Sequence, residues 1–487
     1  VLQQQLANHA EQGGDEQAAE IHAVLDAAGK ARNEAIAHEP AFDLPDHHPM
    51  HGKSGDEMVK WVLQHEAQEM GAWRAKHSEK LKFGKNLQAE ETEEMAALLY
   101  ALRDVFAENP KAPPVINGVE FALHFKEDNP RPMCRKLPRL SIKEKEHMSK
   151  DALQMLINDV IEFSDSDWAT VPVFAKKADG SLRFAIDYRY CNSCRVADSQ
   201  GLPNMMDTLE SLATAERVIV FDGASGFWAV SMKPEHRKYA AFHAWIQGAW
   251  HLVQPVRMMF GFMNATATYV RLMNKIYGPS RRGKPMPGND QQKLISDDNL
   301  LGETAEVFVD DTVAKSKKKQ DHINDLARVL IRLVANRITI KMEKGLWGTD
   351  EVPLLGHVVK CGEGVAISPS KVAAMAALTP METVAELRTF LGAAGFLQRY
   401  VPEYAELAGA VRALDTLKKV GARNRAAYER IEWTEEALAA FEAIKAALVA
   451  APVLAFPDFS HPFIICVDAS KTTVGGGLAQ LDSKGVE

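Results

Sequence analysis

The chain is 487 residues long, 46% hydrophobic and 25% charged, with a net charge of −8. That length exceeds one ordinary hydrophobic core and calls for several domains, and that composition is of a globular chain, not a disordered or fibrous one. Its apolar runs fall short of the ~20 residues of a membrane span, no secretory signal opens it, and five scattered cysteines argue for a reducing compartment and against a disulfide framework.

Residues 1–90 form a polar, acidic N-terminal extension or linker with two helix-like stretches, Gln17–Ile36 and Asp56–Lys80. Residues 1–108 hold 10 Lys/Arg against 20 Asp/Glu, so the acidity lies there and the remainder is net +2. The Asp43–His51 cluster has metal-ligating residue types, but its prolines and irregular frame read as a solvated linker. Met95, Leu98, Leu99, Leu102 and Phe106 mark one face of an amphipathic helix over Glu90–Phe106. A Pro-rich break, a strand at Val119–Phe125 and an extended basic segment, Arg131–Leu140, come next. The basic segment suits a polyanion, with a solvated edge as the alternative. A helix from Ile142 to Phe163 leads into short strands at Val171–Phe174 and Leu182–Ile186, which flank the hairpin signal Asp179-Gly180. Lys176, Lys177 and Arg183 lie on or near that hairpin, which by itself reads as an ordinary charged hairpin. Cys191 and Cys194 have C-x-x-C spacing without a second pair, so they are read as structural.

Val218–Asp222 is an apolar strand ending in a carboxylate. Gly223, Ala224, Ser225 and Gly226 follow, small residues that permit close approach to the backbone, and then Phe227. A helix starts at Asn264. The Gly/Pro/charge-rich stretch at about 279–303 reads as an inserted surface loop. Val307–Ala314 is a strand, a turn and a strand with Asp310 and Asp311 at the turn. Successive strand residues face opposite ways, so the two aspartates cannot share one job. A solvated Asp-Asp turn is the bland reading. Two carboxylates from two strand ends are, however, what a pair of Mg²⁺ ions ~3.5–4 Å apart requires. Residues 315–345 hold nine basic and three acidic side chains, Lys315, Lys317, Lys318 and Lys319 among them, a local positive surface that can track phosphates. Further on come a helix over Asp321–Arg337, hairpins over Gly345–Val359, helices from Pro369 and Glu386, a helix opened by Trp433-Thr434, and a strand at Pro462–Ser470.

Five of these blocks, in order, resemble the reverse transcriptases of Ty3/gypsy-type long-terminal-repeat retrotransposons. They are Lys176–Arg183 running to Ile186-Asp187-Tyr188-Arg189; Phe221-Asp222 to Phe227; Met259–Ala265; the Asp-Asp hairpin; and Leu355-Gly356-His357-Val358-Val359. The resemblance covers roughly residues 95 to 480. It implies an α+β fold, a right-hand polymerase of fingers, palm and thumb with a helical N-terminal extension and a truncated ribonuclease H-like C-terminus. Fingers and palm would span 91–365, thumb and connection 366–455, and the beginning of a ribonuclease H-like domain 456–487. The implied activity is RNA-directed DNA polymerase, two-metal nucleotidyl transfer onto a primer 3′-hydroxyl. Asp222 and Asp310 would hold both Mg²⁺ ions, with Mn²⁺ as a substitute, Asp311 would shape the site and coordinate more weakly, and Asp468 would belong to a partial ribonuclease H site. Lys177, Arg183, Phe227 and Phe260 would bind the deoxynucleoside triphosphate, Phe227 excluding a 2′-hydroxyl. Lys315, Lys317, Lys318, Lys319, Gly356 and His357 would contact nucleic acid, and Asp187 with Arg189 would brace the fingers. The implied partners are an RNA or DNA template with its primer and the other pol polyprotein segments (protease, ribonuclease H, integrase), and no membrane. The implied location is a cytoplasmic retrotransposon particle or the nucleus. The opening Val points to a piece of a longer polyprotein. Thr266 where the family usually has Pro is a mild departure; the 279–303 loop and the missing ends leave a decayed, non-catalytic relic that only binds nucleic acid or protein as the alternative.

Overall fold

The computed structural model describes residues 41–116, 118–128, 130–176, 180, 182–278, 299–309, 311–415, 430–458, 461–469 and 474–481. The chain divides into two compact units, residues 1–204 with 217–349 and residues 205–216 with 350–487.

In the first unit the helices are α1 (Gly55–His65), α2 (Ala67–Lys76), α3 (Ala89–Ala101), α4 (Ile142–Ile157), α5 (Ala265–Tyr277) and α6 (His322–Ala335). Two of them open on Ser-x-x-Glu capping boxes, Ser54 with Glu57 and Ser141 with Glu144, in which side chains satisfy the first backbone N–H groups. The strands are β1 (Lys82–Phe83), β2 (Pro172–Lys176), β3 (Leu182–Ile186), β4 (Arg217–Asp222), β5 (Phe242–Ile246), β6 (Ala249–Pro255), β7 (Ala305–Phe308), β8 (Asp311–Ser316) and β9 (Leu346–Thr349). Five of them form one sheet in the order β1-β9-β4-β8-β7, which puts β4 in the middle. Val218, Ile219 and Phe221 of β4 are buried, as are Val313 and Ala314 of β8, so the sheet is the floor of the core. Leu326, Leu330 and Leu333, at helical spacing on α6, and Leu272, Met273 and Ile276 of α5 belong to the same core. β2 and β3 form the expected hairpin, with Phe174 opposite Phe184.

Residues 41–90 correct the linker expectation. Leu44, Met50, Met58, Val62 and Met70 are buried in the same core as the sheet. Asn336 at the end of α6 holds both backbone groups of Ala41, and β1 pairs in parallel with β9. Apolar residues separated by polar ones hid this packing from the sequence. The expected helix over Asp56–Lys80 is two helices that meet at Glu66. The expected helix over Gln17–Ile36 lies outside the described residues. The inserted loop does too, except for its end, where Leu300 is buried and donates its N–H to Tyr277 O at 2.8 Å.

In the second unit β10 (Glu351–Leu354), β11 (His357–Lys360), β12 (Gly364–Ile367) and β13 (Leu454–Ala455) form an antiparallel sheet in chain order. Helices α7 (Pro369–Ala376), α8 (Val384–Phe396), α9 (Tyr404–Arg412) and α10 (Glu435–Val449) share a core of Leu387, Phe390, Val411, Phe441 and Ile444. A short helix, Met205–Glu210, belongs to this unit, and its Glu210 faces Arg399 at 3.8 Å. β14 (Ile464–Ala469) and β15 (Val474–Ala479) pair as a two-stranded ribbon. Among the described residues no helix is long and apolar enough to cross a membrane.

Candidate active site

Two strand ends meet at the site. β8 runs antiparallel to β4, and Asp311, its first residue, is the register partner of Asp222, the last residue of β4. Directly opposed residues of an antiparallel pair project from the same sheet face with Cβ atoms ~4.5–5.5 Å apart. Two half-buried carboxylates therefore stand side by side on one face. On the other side of the turn β7 pairs with β8, Phe308 opposite Asp311, and Val309 has φ +58. A β-branched residue in the left-handed region is strained, and such strain persists only where the surroundings impose it. Asp310 lies outside the described residues.

The chain beyond Asp222 is tied down on both sides. Ala224 donates to Thr339 O at 2.8 Å, and Lys341 donates its N–H to Asp222 O at 3.1 Å. Ser225 takes φ +49 and a short 3₁₀ turn, Gly226–Ala229, delivers Phe227. Phe227 is 7% exposed and lies 4.9 Å from Phe260, which is 40% exposed. The two rings thus form an aromatic pair with one buried and one exposed member. The glycines owe their identity to a residue with no local signal that singles it out. A Cβ on Gly226 would come within 2.6–2.8 Å of Tyr269 Oη, Cζ and Cε2, and one on Gly223 within 3.0 Å of the same Oη. They make room for a tyrosine beneath the turn, not only for a ligand above it.

The bracing role expected for Asp187 and Arg189 has its geometry. Asp187 is buried and accepts from Arg189 Nε at 2.7 Å and Nη2 at 2.8 Å, with Arg135 3.4 Å away. Hydrogen bonds from Arg189 hold its carboxyl at about 2, well below the usual range. The backbone of Arg183 falls on β3, and Lys177 lies outside the described residues.

The basic run separates into two kinds of residue. Lys317, Lys318 and Lys319 are exposed, Lys317 with Glu303 at 3.3 Å. Lys315 is not a nucleic-acid contact: it is 6% exposed and its Nζ is bound to Glu306 at 2.7 Å. It sits on β8, where every residue from Thr312 to Ser316 is buried. His357 is likewise buried, at 1% exposure, with Nδ1 3.2 Å from Tyr400 Oη. Burial holds its pKa down at about 4, so the ring is a neutral core group, not a phosphate contact. Gly356 before it has φ +79, and a Cβ there would overlap the end of Lys371. The backbone of Asp468 lies on β14, opposite Gly475.

Residues 175–359 match the family model described as "Reverse transcriptase (RNA-dependent DNA polymerase)", and residues 433–487 match "RNase H-like domain found in reverse transcriptase". The chain carries a reverse transcriptase domain. The relatives it is similar to are retrotransposon Pol polyproteins. The retrovirus-related Pol polyprotein from transposon 297 of Drosophila melanogaster is 28% identical over 400 residues, 81% of this chain and 34% of that protein. The corresponding polyprotein from transposon gypsy is 25% identical over 302 residues, 61% of this chain and 27% of that protein. The chain thus spans about a third of the length of the curated relatives it matches. Among solved structures, a foamy viral protease–reverse transcriptase in complex with double-stranded DNA aligns with a TM-score of 0.68 at 19% identity, covering 86% of this chain and 66% of that one. That likeness places the fold among α+β right-hand polymerases.

Proposed function

We propose that this chain is the RNA-directed DNA polymerase of a retrotransposon Pol polyprotein. The primer 3′-hydroxyl oxygen bonds to the α-phosphorus of a deoxynucleoside triphosphate and pyrophosphate leaves. The observation that carries the reading is the register of Asp222 and Asp311, two carboxylates fixed on one sheet face at the ends of adjacent strands. Their oxygens are hard donors of the kind Mg²⁺ takes, and two like charges so close call for a cation between them. Asp222, Asp311 and, by its place in the sequence, Asp310 would hold the metal, which when bound supplies charge neutralisation at the attacking and leaving oxygens. The residues of this chain do the positioning. The β4–β8 pairing fixes the separation of the carboxylates, and the ties to Thr339 and Lys341 keep the following turn from drifting. Phe227 and Phe260 would form the floor under the sugar, and Lys177 and Arg183 would bind the triphosphate. The exposed lysines 317–319 and the exposed arginines and lysine at 131, 136 and 139 would track template and primer phosphates. The other pol segments would be partners in the full-length product. Primer extension on an RNA template with Mg²⁺ and deoxynucleotides tests the reading. Template-dependent extension supports it, and nucleic-acid binding with no extension under any divalent metal would favour the relic.

A further inference from the structure

We infer that Tyr269 is a positioning residue for sugar selection, an inference that rests on the polymerase reading above. Tyr269 lies on α5, at 1% exposure, directly beneath the turn that joins Asp222 to Phe227. Its ring meets Phe227 edge-on, with centroids 5.7 Å apart and planes at 63°. Its hydroxyl end takes the space that side chains at 223 and 226 would fill. Phe227 is thus in contact with Tyr269 from the core and with the half-open Phe260 ring at 4.9 Å.

A steric filter works only if it cannot retreat. The difference between a 2′-hydrogen and a 2′-hydroxyl is one oxygen atom, so a ring free to back away by about an ångström would no longer discriminate. Phe227 stands on a short 3₁₀ turn and not in a long element. Its stiffness must therefore come from what is packed behind it. Close-packed interiors yield little, and edge-to-face aromatic pairs hold a defined geometry. Tyr269, anchored on a helix, supplies that backing. The glycines at 223 and 226 are the counterpart of this arrangement, since any larger residue would push the ring away.

The test compares ribo- with deoxynucleotide incorporation, each as kcat/KM, by the whole chain and five variants. Tyr269→Phe keeps the ring and should leave the deoxy/ribo ratio within about twofold of the parent. Tyr269→Leu opens space behind Phe227, and the ratio should fall on the order of tenfold or more, mostly through gained ribonucleotide use. Gly226→Ala displaces the same ring from the other side and should lower the ratio as well, with partial recovery in the Gly226→Ala/Tyr269→Leu double variant. A merely structural tyrosine would lower both incorporations together and leave the ratio unmoved. An unchanged ratio in a folded Tyr269→Leu variant overturns the inference. If that variant does not fold, an unchanged ratio in Gly226→Ala overturns it. Phe227→Val serves as the control: if it shifts the ratio and the Tyr269 variants do not, only this inference fails. If no variant shifts it, or the parent protein does not extend a primer, the reading of the site fails with it.

Discussion

Replacing Arg195 with methionine should stabilise the protein. Arg195 is 1% exposed, and among the described residues its one hydrogen bond, Nη2 to Ala122 O, is long at 3.5 Å. Nε and Nη1 find no partner among the described residues. Its guanidinium carbon lies 5.2 Å from the Phe121 ring and 5.9 Å from that of Phe262, and burial pulls its pKa below the ordinary value. Two orphaned donors cost ~1–3 kcal/mol each, and the buried charge adds to that. The two aromatic faces return ~0.5–2 kcal/mol. Methionine keeps the flexible stem against both rings and removes the charge, so the net gain should be ~1–3 kcal/mol. Seven of the eight tryptophans lie in the first unit, so their fluorescence during urea unfolding reports it with little contribution from the other. The expected result is a higher midpoint with an unchanged slope. A loss of 1 kcal/mol or more would mean that Arg195 has a partner it cannot lose, and the reasoning would be wrong.

Neutralising Lys317, Lys318 and Lys319 should weaken template–primer binding and flatten its salt dependence by about one unit of logarithmic slope per lost phosphate contact. An unaltered slope would leave them as a solvated face. Lys315→Met should do the reverse, destabilising the fold by leaving the half-buried Glu306 without its cation while the salt slope stays as it was. Stability should also fall as pH drops from about 6.5 towards 4. Burial holds both His322 and His357 at about 4, against an ordinary 6.5, so the unfolded chain binds more protons across that window. His322→Gln and His357→Phe should each flatten the profile, and equal midpoints at pH 7 and pH 4.5 in the parent protein would contradict the assignment. Asp187, at about 2, should lose its contribution only in stronger acid.

Strand and helix placement was legible wherever a local rule held. The apolar run through Val218–Asp222, the strand, turn and strand of Val307–Ala314 and the hairpin signal at Asp179-Gly180 each depend on a few neighbouring residues. What failed needed long-range information. Lys315 and Lys317 differ by two positions, yet one pairs inside the sheet with Glu306 and the other stands in solvent. His357 followed the motif but faces Tyr400 in a core built from residues forty positions away. Leu44 and Met50 read as part of a polar stretch because the apolar surface they cover belongs to distant residues such as those of α6. The small residues after Asp222 read as room for substrate and metal, but at Gly223 and Gly226 the steric requirement comes from within the core. The group that imposes it, Tyr269, is a member of a different helix and has no local signal beyond lying on a buried face.

The opposed carboxylates carry the account, and the most direct measurement is single-nucleotide extension of a primer by Asp222→Asn and Asp311→Asn beside the parent protein, with template–primer affinity measured on the same samples. Each substitution keeps the side-chain shape and removes one negative oxygen. If the two carboxylates jointly hold the metal, extension should fall by on the order of a thousandfold or more in both, as several kcal/mol of transition-state stabilisation are lost, with affinity and folding near those of the parent. Extension at the parental rate by either folded variant would contradict the assignment.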